Sequence, residues 1–214
     1  MKPICIIAGA MEPEWVPVPR AGDLLVAADR GLAHLNRLGL APHLVVGDFD
    51  SLGWTPEGGH VIRHPVEKDD TDTMLAIRTG LARGYRDFVL VGCSGGRPDH
   101  AYANWQALAF LAEQGAAGWL LGQGMAATVI RNGRLDFAPG HEGVISVFCP
   151  GGRAAGVTLD GLHYPLRDAV LTSGFPLGVS NQFTGEAAAV SVGEGMLLVM
   201  WELAAGALPE QLLS

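Results

Sequence analysis

Four short segments that contain aspartate recur along the first hundred residues of this 214-residue chain. Each of them also contains glycine, serine, threonine, lysine or arginine. The segments are Asp29-Arg30-Gly31, Gly47-Asp48-Phe49-Asp50-Ser51, Lys68-Asp69-Asp70-Thr71-Asp72 and Gly95-Gly96-Arg97-Pro98-Asp99-His100. Carboxylates that converge in space repel one another unless a cation lies between them, and Mg²⁺ commonly takes a few carboxylates together with substrate phosphates. If the fold brings the segments together, they predict a site for Mg²⁺ and a phosphate-bearing ligand.

The elements that must position these segments are short apolar runs alternating with helical patterns. The runs that predict strands are 3–9, 24–29, 43–48, 60–64, 87–93 and 118–123, and helical spacing predicts helices over 30–39, 71–84 and 99–115. Continuously apolar strands separated by helices are typical of a parallel sheet that is covered on both faces. Ligands bind at the carboxyl ends of the strands in such a sheet, which is where the four segments fall.

The second half of the chain has a different pattern. Short apolar runs follow one another closely after residue 123, and turn signals such as Asn132-Gly133 and Asp160-Gly161 separate them. This spacing is typical of an antiparallel β-sandwich. We therefore predict a mostly parallel, Rossmann-like α/β domain over residues 1–123, followed by a β-sandwich domain over residues 124–214.

Several of the carboxylate segments also have a purely structural interpretation. Asp72, Asp99 and Thr71 stand at predicted helix starts, where such side chains cap free N–H groups. Asp48 could end a strand in a turn, and Asp69-Asp70 could be a solvated charge pair. None of these interpretations explains why carboxylates recur at successive strand ends.

The cations and glycines of the same segments leave two interpretations open as well. Gly95 and Gly96 either form an ordinary loop or allow the backbone to approach a phosphate closely. Arg97 either contacts a triphosphate or forms a surface ion pair with a nearby aspartate. Lys68 either binds a phosphate as a point charge or flanks a helix.

Composition and charge narrow the class of protein. Hydrophobic residues make up 49% of the chain and charged residues only 17%, which predicts a folded globular protein. The net charge of −8 argues against a nucleic-acid-binding surface but leaves a nucleotide ligand possible. The three cysteines are far apart and lack zinc-site spacing, which fits a reducing cytoplasm. The chain shows neither a signal peptide nor an apolar run long enough to span a membrane, so we expect a cytoplasmic protein.

Six short motifs follow one another in order along the chain. They are ADRG at 28–31, GDFDSL at 47–52, KDDTD at 68–72, GGRPDH at 95–100, GLHYPL at 161–166 and VSNQF at 179–183. Together with Trp201 in the last predicted strand, they resemble the thiamine pyrophosphokinase (thiamine diphosphokinase) family over nearly the whole chain. Arg30 departs from the family pattern, which has a small residue at that position.

This resemblance implies transfer of pyrophosphate from ATP to the hydroxyethyl group of thiamine, with release of AMP. It also implies a homodimer whose active site lies between the α/β domain of one subunit and the sandwich of the other. Mg²⁺ is the cofactor expected from the carboxylates themselves. The expected catalytic residues are Asp50, Asp72 and Asp99, with Asp48 as a further metal ligand. The expected ATP-binding residues are Asp29, Asp48, Lys68, Thr71, Gly95, Gly96 and Arg97. The expected thiamine-binding residues are Ser180, Asn181 and Trp201, although the apolar run around Trp201 favours a core position for it. Either Asp72 or Asp50 could accept the hydroxyl proton.

Other functions share parts of this pattern. A D-x-D motif after an apolar strand also occurs in phosphatases that form an aspartyl-phosphate, but there it follows the first strand. A diphosphokinase that acts on another alcohol, such as a pterin, would keep the nucleotide motifs and lose the thiamine-side ones. A non-catalytic nucleotide-binding sensor would lose the carboxylates, and the carboxylates are present here.

Overall fold

The computed structural model describes residues 2–47, 61–63, 70–204 and 206–212. The chain divides into two compact units, one made of residues 1–107 with 118–123 and the other of residues 108–117 with 124–214. Three of the predicted site residues, Asp48, Asp50 and Lys68, lie outside the described residues. The predicted domain boundary after residue 123 stays a prediction, because residues 108–117, which precede it, belong to the second unit.

The first unit is built on a mostly parallel sheet. In the described residues it contains β1 (Ile4–Ala8), β2 (Leu24–Ala28), β3 (Leu44–Gly47), β4 (Val61–Arg63), β5 (Asp87–Val91) and β6 (Ala117–Gly122). The strand order is β6-β5-β1-β2-β3-β4, and β1 pairs in parallel with both β2 and β5. All five residues of β1 and of β2 are buried, as expected for strands that are covered on both faces. The predicted α/β fold class is confirmed.

Three helices connect the strands in the described part of this unit. They are α1 (Gly31–Arg37), α2 (Asp72–Ala82) and α3 (Pro98–Glu113), and they fall within two residues of the predicted bounds at each end. The hydroxyl of Thr71 accepts a hydrogen bond from the Met74 N–H at 3.2 Å, so it caps α2. Capping satisfies one of the free N–H groups at the helix start, so Thr71 determines where α2 begins.

A buried carboxylate fixes the start of β1. Asp23 accepts hydrogen bonds from the Ile4 N–H at 2.9 Å, the Arg20 N–H at 2.8 Å and the Arg20 Nε at 3.1 Å. Burial by itself would raise the pKa of Asp23, but these hydrogen bonds outweigh it and hold the pKa below its ordinary value. Asp23 therefore stays ionised while it is buried, and it stabilises the folded chain.

The second unit is antiparallel. Four of its strands lie in the order β12-β9-β14-β7 and four others in the order β11-β10-β13-β8. Their bounds are β7 (Met125–Arg131), β8 (Arg134–Phe137), β9 (Val144–Phe148), β10 (Arg153–Asp160), β11 (Leu166–Thr172), β12 (Gly178–Gln182), β13 (Ala188–Ser191) and β14 (Met196–Glu202). The rings of Phe137 on β8 and Trp201 on β14 meet edge to face at 5.3 Å, so the two sheets pack against each other as a sandwich.

The chain also contains no described helix with the length and apolar character needed to cross a membrane.

Candidate active site

The predicted site residues of the first unit follow the carboxyl ends of β2 and β5 and the start of α2. We call Asp29, Thr71, Asp72 and the segment Gly95–Asp99 the carboxyl-edge residues. The loop after β5 joins two of these regions, because the hydroxyl of Thr73 in the first turn of α2 hydrogen bonds with the Sγ of Cys93. Asn104, in the second turn of α3, donates to the Cys93 carbonyl at 2.7 Å. The first turn of α2 and the N-terminal half of α3 are therefore held against one loop at this edge of the sheet.

Cys93 is the buried centre of that loop. Burial raises the pKa of its thiol to about 12, although the hydrogen bond from Thr73 opposes the shift. The thiol also donates to the Val91 carbonyl at 3.4 Å. A thiol with this pKa is protonated at neutral pH and is a poor nucleophile. Cys93 therefore packs and orients the loop.

The two glycines of this loop permit close packing around it. Gly95 and Gly96 have φ angles of +79° and +67°, in the left-handed region that favours glycine. A Cβ on Gly95 would collide with the side-chain amide of Gln123, and one on Gly96 with the thioether of Met11. The positive φ angles therefore favour glycine at both positions, and the predicted close approach of this loop to a phosphate stays a prediction.

Arg97 and Asp99 form a two-pronged ion pair at the start of α3. The Nε of Arg97 lies 3.2 Å from Oδ1 of Asp99, and its Nη2 lies 2.6 Å from Oδ2. Asp99 Oδ1 also accepts the His100 N–H at 3.0 Å. The guanidinium lowers the pKa of Asp99, and the carboxylate raises the pKa of Arg97. The surface-pair interpretation of Arg97 is thus the arrangement observed.

This ion pair is open to solvent, since the two side chains are 73% and 62% exposed. Exposed ion pairs contribute little to stability, so exchange for other partners is inexpensive. A phosphate could replace the carboxylate at Arg97 while a cation takes up Asp99. The arrangement holds both groups at the surface of the loop in a mutually neutralised form.

The end of β2 carries Asp29 in a strained backbone conformation. Its φ of +49° is unusual for a residue with a side chain, and its N–H donates to the Val46 carbonyl at 2.9 Å. Arg30 is exposed and has an ordinary helical backbone, with φ −59° and ψ −16°. The departure from the family pattern at Arg30 therefore causes no distortion of the chain here. A Cβ on Gly31 would collide with the Ala8 carbonyl, so only glycine lets α1 begin against the end of β1.

The start of α2 combines a cap with two carboxylates. Thr71 is the N-cap, and Asp72 is the first helical residue, where a negative charge is favoured by the helix dipole. Asp70 pairs with Nε of Arg78 at 2.8 Å. Capping by Thr71 is thus observed, and Asp70 belongs to an ion pair of its own.

Only part of the predicted set of metal ligands lies within the described residues. Among the residues that the structure describes, no group of three histidine, cysteine, aspartate or glutamate side chains is close enough to hold a metal ion. The predicted ligands Asp72 and Asp99 are described, whereas Asp48 and Asp50 are not. All four predicted donors are carboxylates, which suit Mg²⁺, and their joint geometry stays a prediction.

In the second unit, the side chain of Asn181 is used to hold the backbone of neighbouring residues. It is 3% exposed, and its Oδ1 accepts the N–H groups of Tyr164 at 2.9 Å and Gln182 at 2.8 Å. Its Nδ2 donates to the Tyr164 carbonyl at 2.7 Å. Asn181 therefore holds the backbone of Tyr164, and direct contact of its amide with a ligand would need a rearrangement. Ser180 is exposed with a φ of +56°, and its N–H donates to the Ser146 hydroxyl at 3.0 Å.

The two aromatic candidates of this unit differ in exposure. Trp201 is 1% exposed and packs edge to face on Phe137, so the core interpretation of this residue is what the structure supports. Tyr164, in the GLHYPL motif, is 61% exposed, and its ring lies 4.6 Å from that of His163. Sequence reasoning did not single out Tyr164. The sequence feature that could have indicated Tyr164 is an aromatic residue followed by proline in a turn between strands, where packing of the core does not require an aromatic ring.

Several large hydrophobic side chains of β11, the following loop and β12 are open to solvent. Val170, Phe175, Leu177 and Val179 are between 46% and 65% exposed. Contiguous patches of exposed apolar side chains are typical of surfaces that bind another protein.

Comparison with known proteins shows that both halves of the chain are similar to one family. Residues 19–117 match the family described as "Thiamin pyrophosphokinase, catalytic domain", and residues 134–197 match "Thiamin pyrophosphokinase, vitamin B1 binding domain". The second match includes Tyr164, Ser180 and Asn181 but not Trp201.

Individual relatives agree with the family matches. The thiamine pyrophosphokinase of Bacillus subtilis (strain 168) is 26% identical over 212 residues, covering 94% of this chain and 98% of that protein. The crystal structure of the Bacillus subtilis enzyme has a TM-score of 0.82 and 26% identity, covering 94% of this chain and 99% of that one. A thiamin pyrophosphokinase structure from Geobacillus thermodenitrificans has a TM-score of 0.78 and 26% identity, covering 96% and 100%.

Proposed function

The chain belongs to the thiamin pyrophosphokinase family, and from that premise we propose that it transfers pyrophosphate from ATP to the hydroxyl of thiamine. The family is one of enzymes that form thiamine diphosphate, so the chain is a transferase of this kind. The observation that carries the finer proposal is the presence of both halves in order. Residues 19–117 match the catalytic domain and residues 134–197 the vitamin-binding domain, in one chain.

The proposed reaction is an in-line displacement at the β-phosphorus of ATP. The hydroxyl oxygen of thiamine forms a bond to that phosphorus, and the bond to the oxygen bridging the α- and β-phosphates breaks. AMP leaves with the bonding electrons, and the hydroxyl proton passes to a carboxylate, either Asp72 or Asp50. Such reactions depend mainly on positioning and on neutralising phosphate charge.

Arg97 and the adjoining glycines are the proposed polyphosphate contacts. The guanidinium of Arg97 is already at the surface of the loop, and its planar fork suits two phosphate oxygens. Exchange of Asp99 for phosphate as its partner would free the Asp99 carboxylate. Asp29, Thr71 and Lys68 are further proposed ATP contacts, and Thr71 would keep its capping role at the same time.

Mg²⁺ is the proposed cofactor. Asp48, Asp50, Asp72 and Asp99 would hold it, because an all-carboxylate donor set suits a hard cation that prefers oxygen ligands. When bound, the ion would offset the charge of the phosphate oxygens. Asp99 would enter this set by leaving its ion pair with Arg97.

Tyr164 is the proposed aromatic surface for thiamine, in place of Trp201. Thiamine is a cation with two aromatic rings, and an exposed phenol ring offers it both stacking and a cation–π contact. The backbone of Tyr164 is held by Asn181, so the ring is anchored to a buried polar group. Ser180, exposed on the neighbouring strand, is the proposed hydrogen-bonding partner of the ligand.

A homodimer in the cytoplasm is the proposed working form. The exposed side chains of Val170, Phe175, Leu177 and Val179 support an interface on the second unit. The three cysteines are buried free thiols, which suits a reducing compartment. Sedimentation analysis of the wild-type chain and of Phe175→Asp would test the interface, because a charge in place of the most exposed of these side chains should release monomers.

The direct test of the activity is incubation of the purified chain with ATP, Mg²⁺ and thiamine. Chromatography should show AMP and thiamine diphosphate in equal amounts, and chelation of Mg²⁺ with EDTA should stop both. The matched variant Asp72→Asn keeps the side-chain shape and removes its charge, so turnover should fall sharply. Release of ADP or free phosphate in place of AMP would contradict the proposed transfer, and near-normal turnover of Asp72→Asn would contradict the role of Asp72.

A further inference from the structure

A concave site lies at the edge of the parallel sheet opposite the carboxyl-edge residues, where β1, β2 and β5 begin. The pocket has a volume of about 410 Å³ and is bounded by Lys2, Pro3, Gly22 and residues 83–87. Strands of five residues separate it from the carboxyl-edge residues, a length of roughly 16 Å. It belongs to neither the predicted nucleotide site nor the predicted thiamine site.

The charge of this pocket is opposite to that of the chain. Lys2, Arg83 and Arg86 line it, against one carboxylate, Asp87, although the chain as a whole carries a net charge of −8. Within the described ranges, none of the three cations has a carboxylate partner within 4.0 Å. Five other arginines of the described residues do form ion pairs: Arg20, Arg37, Arg78, Arg97 and Arg134.

One neighbouring pair of opposite charges, Arg20 and Asp23, is already mutually neutralised. Asp23 lies at the start of β2, but its carboxylate is engaged by Arg20 and by the N–H of Ile4. Arg20 also contacts the Lys2 carbonyl at 3.5 Å. The Arg20–Asp23 pair therefore adds little net potential, and the pocket keeps its excess of positive charge.

Arg86 is held in place by the end of α2. Its Nη1 donates to the Tyr85 carbonyl at 2.8 Å and to the Leu81 carbonyl at 3.3 Å. Both bonds use the same nitrogen, and a guanidinium has five N–H donors, so Nε and Nη2 retain donors for a further acceptor. The hydroxyl of Tyr85 donates to the Gly22 carbonyl at 2.8 Å, which fixes the facing wall.

A helix end explains only part of this arrangement. Cations near the C-terminus of a helix are favoured by its dipole, which accounts for Arg83 and Arg86 beside α2. Lys2 precedes β1, far away in sequence, and caps no helix. Its convergence on the same pocket points to an anion that all three cations share.

We propose that this pocket binds the phosphate group of a small anion, either inorganic phosphate or pyrophosphate or a phosphate monoester. Arginine forks bind phosphate oxygens in pairs, and lysine adds a point charge. The volume falls within the range of pockets that hold small ligands, so an esterified phosphate fits as well as a free one. The site is separate from catalysis and offers the enzyme a place where phosphate-bearing metabolites bind at the far edge of the sheet.

Amide NMR of the labelled protein tests this proposal. Sodium phosphate, sodium pyrophosphate and AMP are titrated in turn, with sodium chloride at matched ionic strength as the reference. All titrations are made on the Arg97→Gln background, which removes the predicted phosphate contact of the active site. At least one probe should shift the amides of Gly22 and Gly84 in a saturable way, and the tightest probe identifies whether the phosphate is free or esterified.

Variants separate a built site from general electrostatics. Arg83→Gln and Lys2→Gln should each weaken binding about tenfold or more, because each removes a charge-assisted hydrogen bond. Lys2 is exposed and precedes β1, so its replacement leaves the fold intact. Arg153→Gln, an exposed arginine of the second unit, is the matched control and should change nothing. The proposal is overturned if chloride reproduces the shifts, or if both pocket variants bind as tightly as the control.

Discussion

The replacement Tyr164→Ala separates the two aromatic candidates for thiamine. The backbone of Tyr164 is held through its N–H and carbonyl by Asn181, so the change leaves these hydrogen bonds in place. The ring is 61% exposed, and its loss creates no internal cavity. We therefore expect the free energy of unfolding to change by no more than about 0.5 kcal/mol, as for other surface substitutions.

The effect on thiamine should be much larger than the effect on stability. A cation over an aromatic ring gains about 0.5 kcal/mol at an exposed site and about 2 kcal/mol once water is excluded. Converted at 1.4 kcal/mol per decade, this range predicts a rise in the thiamine KM of roughly two- to thirty-fold. The KM for ATP should stay unchanged, because the proposed ATP contacts belong to the first unit.

Steady-state assays of AMP release at varied thiamine and at varied ATP measure both constants. Tyr164→Phe keeps the ring and should behave like the wild-type protein. Trp201→Phe perturbs a side chain that is 1% exposed, so it should lower the free energy of unfolding in urea without a selective change in the thiamine KM. An equal rise of both KM values in Tyr164→Ala, or a selective thiamine defect in Trp201→Phe, would refute the assignment of Tyr164.

Three further predictions concern the first unit. Thr71→Ala should lower the free energy of unfolding by about 1 kcal/mol through loss of the α2 cap, and Thr71→Ser should restore it in urea titrations. A rise of the ATP KM in Thr71→Ala alone would add a phosphate contact to the capping role. Asp23 has a lowered pKa in the folded chain, so it stabilises the fold above the ordinary carboxyl pKa, and this contribution is lost as the pH falls through the lowered value. Thermal melts of Asp23→Asn should therefore show a lower melting temperature than the wild-type chain at pH 7 and a smaller decrease of that temperature as the pH falls. An unchanged decrease at acid pH would contradict this. Gly96→Ala should cost about 1–2 kcal/mol because its φ is +67°, with part recovered when Met11→Ala removes the collision. A fully stable Gly96→Ala chain would show that the loop tolerates a side chain.

Much of the α/β unit could be predicted from residue patterns, because its strands are buried on both faces. Runs such as Ile4–Ala8 and Leu24–Ala28 contain no polar residue, and helical spacing between them is clear. In the sandwich, β12 lacks the continuous apolar run that indicates a strand. The Gly178–Gln182 strand carries Ser180, Asn181 and Gln182, residues with low strand propensity, and it is recognised only through its pairing with β9.

The candidate site was likewise predictable from the sequence only in part. The order of the motifs predicted the family and the edge of the sheet at which Asp72 and Asp99 lie. The cap formed by Thr71 and the ion pair between Arg97 and Asp99 were each one of two open interpretations, and the contacts of the folded chain selected them. The roles of these residues in catalysis, and those of Asp48 and Asp50, stay predictions.

The fold class, the family and the residue types at the strand ends could be inferred without coordinates, because they depend on local periodicity and on the order of motifs. The burial of Trp201 and the exposure of the Tyr164 ring became evident only in the folded chain. Burial depends on what packs against a side chain, and residues distant in sequence provide that packing. Trp201 faces Phe137 across the sandwich, whereas Asn181 holds the backbone of Tyr164 and leaves its ring outside.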